Sequence, residues 1–151
     1  MKLKDFDFRI WSVKKEKYLD ELYSNIISLS SDKSIKGYNR NYKILAIEFS
    51  PYDSIPLMND NEECFEIELF TGLCDKNGRK IYEGDILYYF KDCSEGEVFK
   101  YQVLFKEGAF YLFESYDGFV DDEDLIAEFD LKELQVMGNI HENKELLNVR
   151  L

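Results

Sequence analysis

The stretch Thr71–Leu87 constrains the fold of this chain more than any other part of it. It reads Thr-Gly-Leu-Cys-Asp-Lys-Asn-Gly-Arg-Lys-Ile-Tyr-Glu-Gly-Asp-Ile-Leu, with two turn signals, Asp75-Lys76-Asn77-Gly78 and Glu83-Gly84-Asp85, flanking the short run Arg79–Tyr82. Asn-Gly supplies the positive-φ residues that a tight hairpin turn needs, and Gly84 can do the same at a second corner. An apolar strand follows from Ile86. The stretch specifies a backbone path with two close reversals, and it specifies no reaction.

Around it the chain reads as short strands. Phe6, Phe8 and Ile10 alternate with Asp7 and Arg9, a half-buried strand ending near Trp11. Leu19, Leu22, Tyr23 and Ile26 fall at helical spacing, and the polar run Ser28–Ser34 reads as a loop. A strand is expected from Tyr42 to Phe49, stopped by Pro51, with residues 51–62 a surface connection. Phe65, Ile67 and Leu69 alternate with Glu66 and Glu68, which predicts a strand with an acidic, solvated face. Ile86–Phe90 and Phe99–Phe105 follow, and Glu107-Gly108 makes a tight hairpin into Ala109–Phe113. The acidic segment Asp121–Asp130 predicts one or two helical turns with Asp121 as N-cap. Leu134, Val136 and Ile140 mark a last strand broken by Gly138-Asn139, and Glu142–Leu147 a closing helical turn. Short strands joined at Gly84, Gly108 and Gly138 predict a mainly β (α+β) chain whose centre is a small, strongly bent barrel or sheet. Residues 1–62 form an N-terminal strand–helix–strand segment with a linker and residues 63–151 the barrel-like core, together one compact domain.

Composition narrows the function classes. The 151 residues carry a net charge of −12, with 45% hydrophobic and 16% aromatic residues, which suits a folded domain with a real core. Residues 1–40 hold nine Lys/Arg against six Asp/Glu, whereas residues 41–151 hold ten against twenty-five. Duplex nucleic acid is disfavoured as a partner, because affinity for it comes mainly from cations that neutralise phosphates. An acidic face suits a basic partner. The N-terminus does not read as a signal peptide, and no apolar run reaches the length of a membrane span, so a cytoplasmic location is expected. Cys64, Cys74 and Cys93 share no Cys-x-x-Cys spacing and read as reduced thiols.

Catalytic constellations are sparse. A Ser or Cys nucleophile needs a histidine base in the usual arrangement, and His141 is the single histidine. Asp75-Lys76-Asn77-Gly78 begins like a calcium loop but continues with Arg79 and Lys80 where acidic or amide and glycine residues are required, so it reads as a turn. Asp121–Asp124 on a helix would point in different directions and cap rather than chelate. Asp85 beside Gly84 reads as a turn acceptor for backbone N–H groups. No phosphate-binding glycine loop occurs, and no catalytic residue, metal or cofactor is assigned. Binding potential lies in the aromatics of consecutive strands, Tyr88, Tyr89, Phe90, Tyr101, Phe110, Tyr111 and Phe113, whose alternate members face opposite sides. Tyr88, Tyr89, Tyr101 and Tyr111 are candidates for stacking a nucleotide-like ligand, with Arg9, Arg40, Arg79 or Lys80 as its cations. Aromatics on both faces of the central strands also predict self-association.

Three pieces resemble the YopX family of phage and prophage proteins. They are Phe8-Arg9-Ile10-Trp11; Phe70-Thr71-Gly72-Leu73 with Asp75–Gly78 and Ile81–Ile86; and Val136–Asn143 followed by Leu146-Leu147. Ser12 stands where the family often has Asp, and His141 where it often has Tyr. The resemblance implies a β-rich fold with an SH3-like barrel portion, a phage or prophage origin and self-association, and no established general activity. The expected function is a non-catalytic accessory protein that binds a host factor, with counter-defence as one form of that role. The alternatives are an oligomeric sponge for a nucleotide-like signalling molecule and a metal-dependent hydrolase using acids of residues 117–124.

Overall fold

Alternating apolar and polar residues, punctuated by glycine turns, produce twelve short strands among the described residues: β1 (Phe8–Ser12), β2 (Lys17–Tyr18), β3 (Ile26–Leu29), β4 (Ile44–Ser50), β5 (Asp53–Pro56), β6 (Phe65–Cys74), β7 (Lys80–Tyr82), β8 (Asp85–Tyr89), β9 (Phe99–Lys106), β10 (Ala109–Tyr116), β11 (Phe119–Leu125) and β12 (Leu134–Asn139). The structure, a computed structural model, describes residues 2, 5–18, 26–29, 44–50, 53–56, 65–90, 98–116 and 119–147. The chain is mainly β, its strand pairs antiparallel, with two short 3-10 turns at Ile126–Glu128 and Lys144–Leu147. No helix among the described residues is long and apolar enough to cross a membrane.

Two compact units are present, one formed by residues 1–9 with 68–151 and the other by residues 10–67. In the second unit Trp11 pairs with Tyr18 across β1 and β2, their rings edge-to-face at 5.0 Å, and β3, β4 and β5 form a three-stranded sheet.

The first unit is organised by a five-stranded sheet of order β11-β10-β9-β8-β12. One face of this sheet carries Leu87, Tyr101, Val103, Leu112, Leu134 and Val136, and the sheet curls into a half-barrel around them. Ile81 of β7 and Ile126 of the first 3-10 turn complete the buried cluster, with Leu73, Phe110, Phe129 and Leu131 packed against it. Each fully buried aliphatic side chain contributes roughly 1.5–3 kcal/mol relative to exposure. The β9–β10 turn places Glu107 at φ 53° and Gly108 at φ 82°, the doubly positive geometry that matches the twist of the flanking strands.

The β6–β7 hairpin closes against the free edge of β12. Asp75 organises its loop: Oδ1 accepts the N–H groups of Asn77 (2.8 Å) and Arg79 (2.9 Å), and Oδ2 accepts that of Val136 (2.9 Å). Lys76 N–H donates to Leu134 O at 3.0 Å. Gly78 takes φ 78° while Asn77 does not take a positive φ, so Asp75–Gly78 is a tight turn closed by Gly78 N–H to Asp75 O at 2.9 Å and braced by the Asp75 carboxylate, without the doubly positive Asn-Gly geometry. Gly72, at φ 83°, lies in a register irregularity of β6 where Thr71 Oγ1 donates to Ile81 O and accepts from Leu73 N–H.

Several expectations are corrected. Ile26 and Ser28 lie in strand β3, not in a helix and a loop; Leu19, Leu22 and Tyr23 lie outside the described residues. Asp53–Pro56 is a strand within the expected connection. Residues 119–125 pair with β10 as β11, so Asp121 lies within a strand and not at a helix N-terminus, and the coil is Ile126–Glu128, after Leu125. Pairing with β10 satisfies the backbone that a helix would otherwise have satisfied. Gly138 and Asn139 do not break the last strand; β12 absorbs a bulge between Val136 and Gly138 and continues through them, and Ile140 falls beyond its end.

Candidate functional site

The densest polar assembly in the described structure surrounds Gly84. This residue sits at φ 79°, donates to Val103 O and accepts from Ile140 N–H, both at 2.9 Å. A Cβ at this position would lie 2.7 Å from Glu68 Oε1, so both conformation and space require glycine. The second close approach is at Gly138, where a Cβ would meet Asn143 Oδ1 at 2.4 Å.

Glu68, only 4% exposed, points inward from β6 and contradicts the expected solvated acidic face. Its Oε2 accepts Arg9 Nε at 2.5 Å and its Oε1 meets His141 Nε2 at 2.7 Å. Arg9 reaches on with Nη2 to Glu83 O at 3.1 Å and to within 2.7 Å of Asp85 Oδ1, and its guanidinium lies over the Tyr82 ring. The Arg9–Asp85 contact is a close ion pair that compensates the buried Oδ1. Asp85 Oδ2 accepts the Tyr82 N–H at 2.8 Å, the turn role expected of it. Burial pushes the Asp85 carboxyl above the ordinary aspartate value, outweighing the attraction of Arg9 and the Tyr82 N–H. Behind His141, Asn139 Oδ1 accepts the N–H groups of His141 and Glu142 at 3.0 Å, and Asn139 Nδ2 donates to Glu142 Oε2 at 2.7 Å.

A histidine hydrogen-bonded to a carboxylate is also the pairing that supports general-base chemistry. Here the carboxylate is shared with Arg9, and its side chain and that of His141 are 5% and 12% exposed. The arrangement ties β1, β6, β8 and the turn after β12 together through charge.

Among the described residues, the sequence-predicted binding residues do not gather at one site, although Tyr89 and Tyr101 meet with ring centres 6.5 Å apart. Tyr89 and Tyr101 lie on the core side of the sheet and form edge-to-face contacts with Phe129, at 5.4 and 5.2 Å. Tyr88 and Tyr111 belong to the opposite face by register. Tyr88 is buried, its OH reaching Leu146 O at 3.3 Å, and burial raises its pKa. Beside it Lys100 Nζ is buried without a hydrogen-bond acceptor, 5.4 Å from the Tyr88 ring centre, and burial lowers its pKa. Arg9 belongs to the Gly84 cluster. Lys80 pairs with Asp7 at 2.7 Å, and Tyr82 OH donates to the same oxygen. Partial burial of Asp7 pushes its carboxyl upward, yet these bonds and the Phe8 N–H together hold it below the ordinary value. Arg79 is exposed in the Asp75 loop, and Arg40 lies outside the described residues. Cys74 is an exposed thiol.

Sequence reasoning missed Glu68 and Asn139. The usable signal was that Arg9, Gly84-Asp85 and Gly138–His141 each belong to one of the three family-like pieces, and those pieces meet at this cluster.

A model of the YopX protein family matches residues 7–148. Protein EF1440 from Enterococcus faecalis superposes with a TM-score of 0.57 at 28% identity, over 94% of this chain and 97% of that one. Protein YopX from Bacillus subtilis superposes with the same TM-score at 16% identity, over 95% and 97%, a likeness of fold. No functionally curated protein matches. The family match over nearly the whole length, on a chain whose family-like pieces meet around Gly84, establishes that this chain belongs to the YopX family.

Proposed function

We propose that this protein is a non-catalytic binding protein, a phage or prophage accessory factor that engages a basic host protein. The observation that carries the reading is the state of the Gly84 cluster. The single histidine and its carboxylate partner are engaged with each other, with Arg9 and with backbone, so the chemically richest assembly serves to hold the fold. What the exterior offers is charge, net −12 for the chain. Such a surface accelerates encounter with a positively charged partner and makes the association salt-dependent.

Native mass spectrometry of the full chain purified from a bacterial host tests this. The expected result is a stoichiometric complex with a basic protein that dissociates as ionic strength rises. A chain that carries a nucleotide-sized mass adduct and no protein would replace this reading with that of a small-molecule sponge. A bare chain at every ionic strength would refute both.

A further inference from the structure

We propose that the tip of the β9–β10 hairpin, together with the end of β11, is the docking face, and that its occupant is a protein surface bearing an apolar pocket rimmed by lysine and arginine. The inference rests on the binding reading above and locates it.

The tip is apolar on both faces of the sheet. On one side Phe105 and Phe110 stack as cross-strand neighbours with ring centres 5.0 Å apart, and Phe105 remains 42% exposed. On the other side Leu104, Tyr111 and Leu125 form a row across β9, β10 and β11, with Leu125 37% exposed. Phe110 packs on the core cluster, and Ile86 and Tyr88 are buried on the opposite face away from the tip, whereas Phe105 and Leu125 at the tip stay exposed, which leaves these two for another purpose. The turn itself gives no reason for them, since Glu107 and Gly108 already supply its geometry.

Charge selects the occupant. At the tip and the adjoining end of β11 the charged residues are Lys106 against Glu107, Glu123, Asp124 and Glu128, one cation to four anions, a net of −3. Lys106 is neutralised on the spot by Glu123, at 2.9 and 3.1 Å. The exposed residues Glu107, Asp124 and Glu128 therefore surround the apolar tip with uncompensated negative charge. A second copy of this chain would bring the same acids against them, and like-charge juxtaposition opposes that contact. Nucleic acid and anionic lipid are opposed on the same ground. A basic rim with an apolar centre complements both features: aromatic anchors in a pocket supply affinity and the rim supplies rate and specificity.

The test is NMR of the full isotopically labelled chain titrated with two synthetic peptides of equal charge, one interleaving Arg/Lys with Leu/Phe and one of Lys with Gly. The interleaved peptide is expected to shift the amides of residues 104–111 and 124–128, and to weaken as salt shortens the Debye length from about 30 Å to 10 Å. The double variant Phe105→Ser/Leu125→Ser should weaken this binding about tenfold or more, as loss of interface anchors does. Glu107→Lys/Asp124→Lys should also weaken it and leaves the apolar side chains in place, so either variant serves if the other fails to fold. Equal binding of the Lys/Gly peptide with no effect of the serine variant reduces the face to bulk charge and overturns the proposal. Shifts mapping elsewhere overturn the location and leave the binding reading intact. Shifts of these amides with protein concentration alone assign the face to a second copy, and silence with both peptides overturns the face altogether.

Discussion

Replacing Arg9 by methionine removes one guanidinium and strands two carboxylates. Glu68 and Asp85 have side chains 5% and 1% exposed, and Arg9 contacts both. Methionine fills much of the same volume, so the perturbation is chiefly electrostatic. Removing one partner from a buried ion pair costs about 3–5 kcal/mol, because the remaining charge stays buried. For a chain of this size each kcal/mol moves the melting temperature by roughly 2–4 °C, so a drop on the order of 6–20 °C is expected at pH 7.5.

The pH dependence makes the prediction discriminating. Asp85 in the wild type has a folded-state pKa raised above its unfolded value. Its favourable contribution is therefore complete below the unfolded value of about 3.9 and is lost as pH rises through the folded value. Without Arg9, the main attraction holding that carboxyl down disappears and the rise steepens. The gap between wild type and Arg9→Met should thus narrow on acidification from pH 7.5 to 5, measured by denaturant unfolding at both pH values. Asp85→Asn keeps an acceptor for the Tyr82 N–H while relieving the buried charge, so it should change stability by less than about 1 kcal/mol and recover part of the loss when combined with Arg9→Met. Wild-type-like melting of Arg9→Met at pH 7.5, or a gap that widens in acid, would refute the electrostatic account of this cluster.

Other substitutions separate the causes at work. Gly84→Ala combines a positive φ with a Cβ 2.7 Å from Glu68 Oε1 and should cost about 2–5 kcal/mol, whereas Gly78→Ala, with nothing within 4 Å, should cost about 1–2; thermal melts of the two side by side read the difference. Asp75→Ala removes the acceptor for three backbone N–H groups and should cost about 3 kcal/mol or more by chemical denaturation, with β12 amides losing hydrogen-exchange protection first. His141→Leu leaves Glu68 Oε1 without its side-chain donor and should cost about 1–3 kcal/mol, while His141→Tyr retains an O–H donor and should cost less in the same unfolding assay.

How much of this was legible in the sequence depends on the range of the interaction. The β9–β10 hairpin and strands β8 and β9 follow from alternation and turn chemistry within a few residues, and the structure reproduces them. Residues 119–125 misled because four consecutive acids suit a solvated helix as well as an edge strand; what decided was pairing with β10, which no local pattern announces. Glu68 misled for a related reason. Period-two alternation puts it on the polar face of its strand, whereas Arg9 and His141, 59 and 73 residues away, make that face an interior. The tyrosines were correctly seen as alternating, yet their partners Phe129 and Leu146 come from elements the alternation does not mention.

The position of Arg9 and Glu68 in the chain explains why their pairing matters. Arg9 is the last residue of the first unit before residues 10–67 begin the second, and Glu68 is the first residue to return. Folding the first unit requires these two points to meet, and closing an intervening loop of that length opposes folding by roughly 4 kcal/mol of chain entropy. An apolar contact could offset such a cost but would accept many registers. A guanidinium shared between two carboxylates and the Glu83 carbonyl accepts one. Buried charge contributes little net stability over a hydrophobic substitute, and its best-attested value is registry. In this chain the cluster fixes the register of β1 and β6 against the Gly84 corner, where Arg9, Glu68, Asp85 and His141 meet.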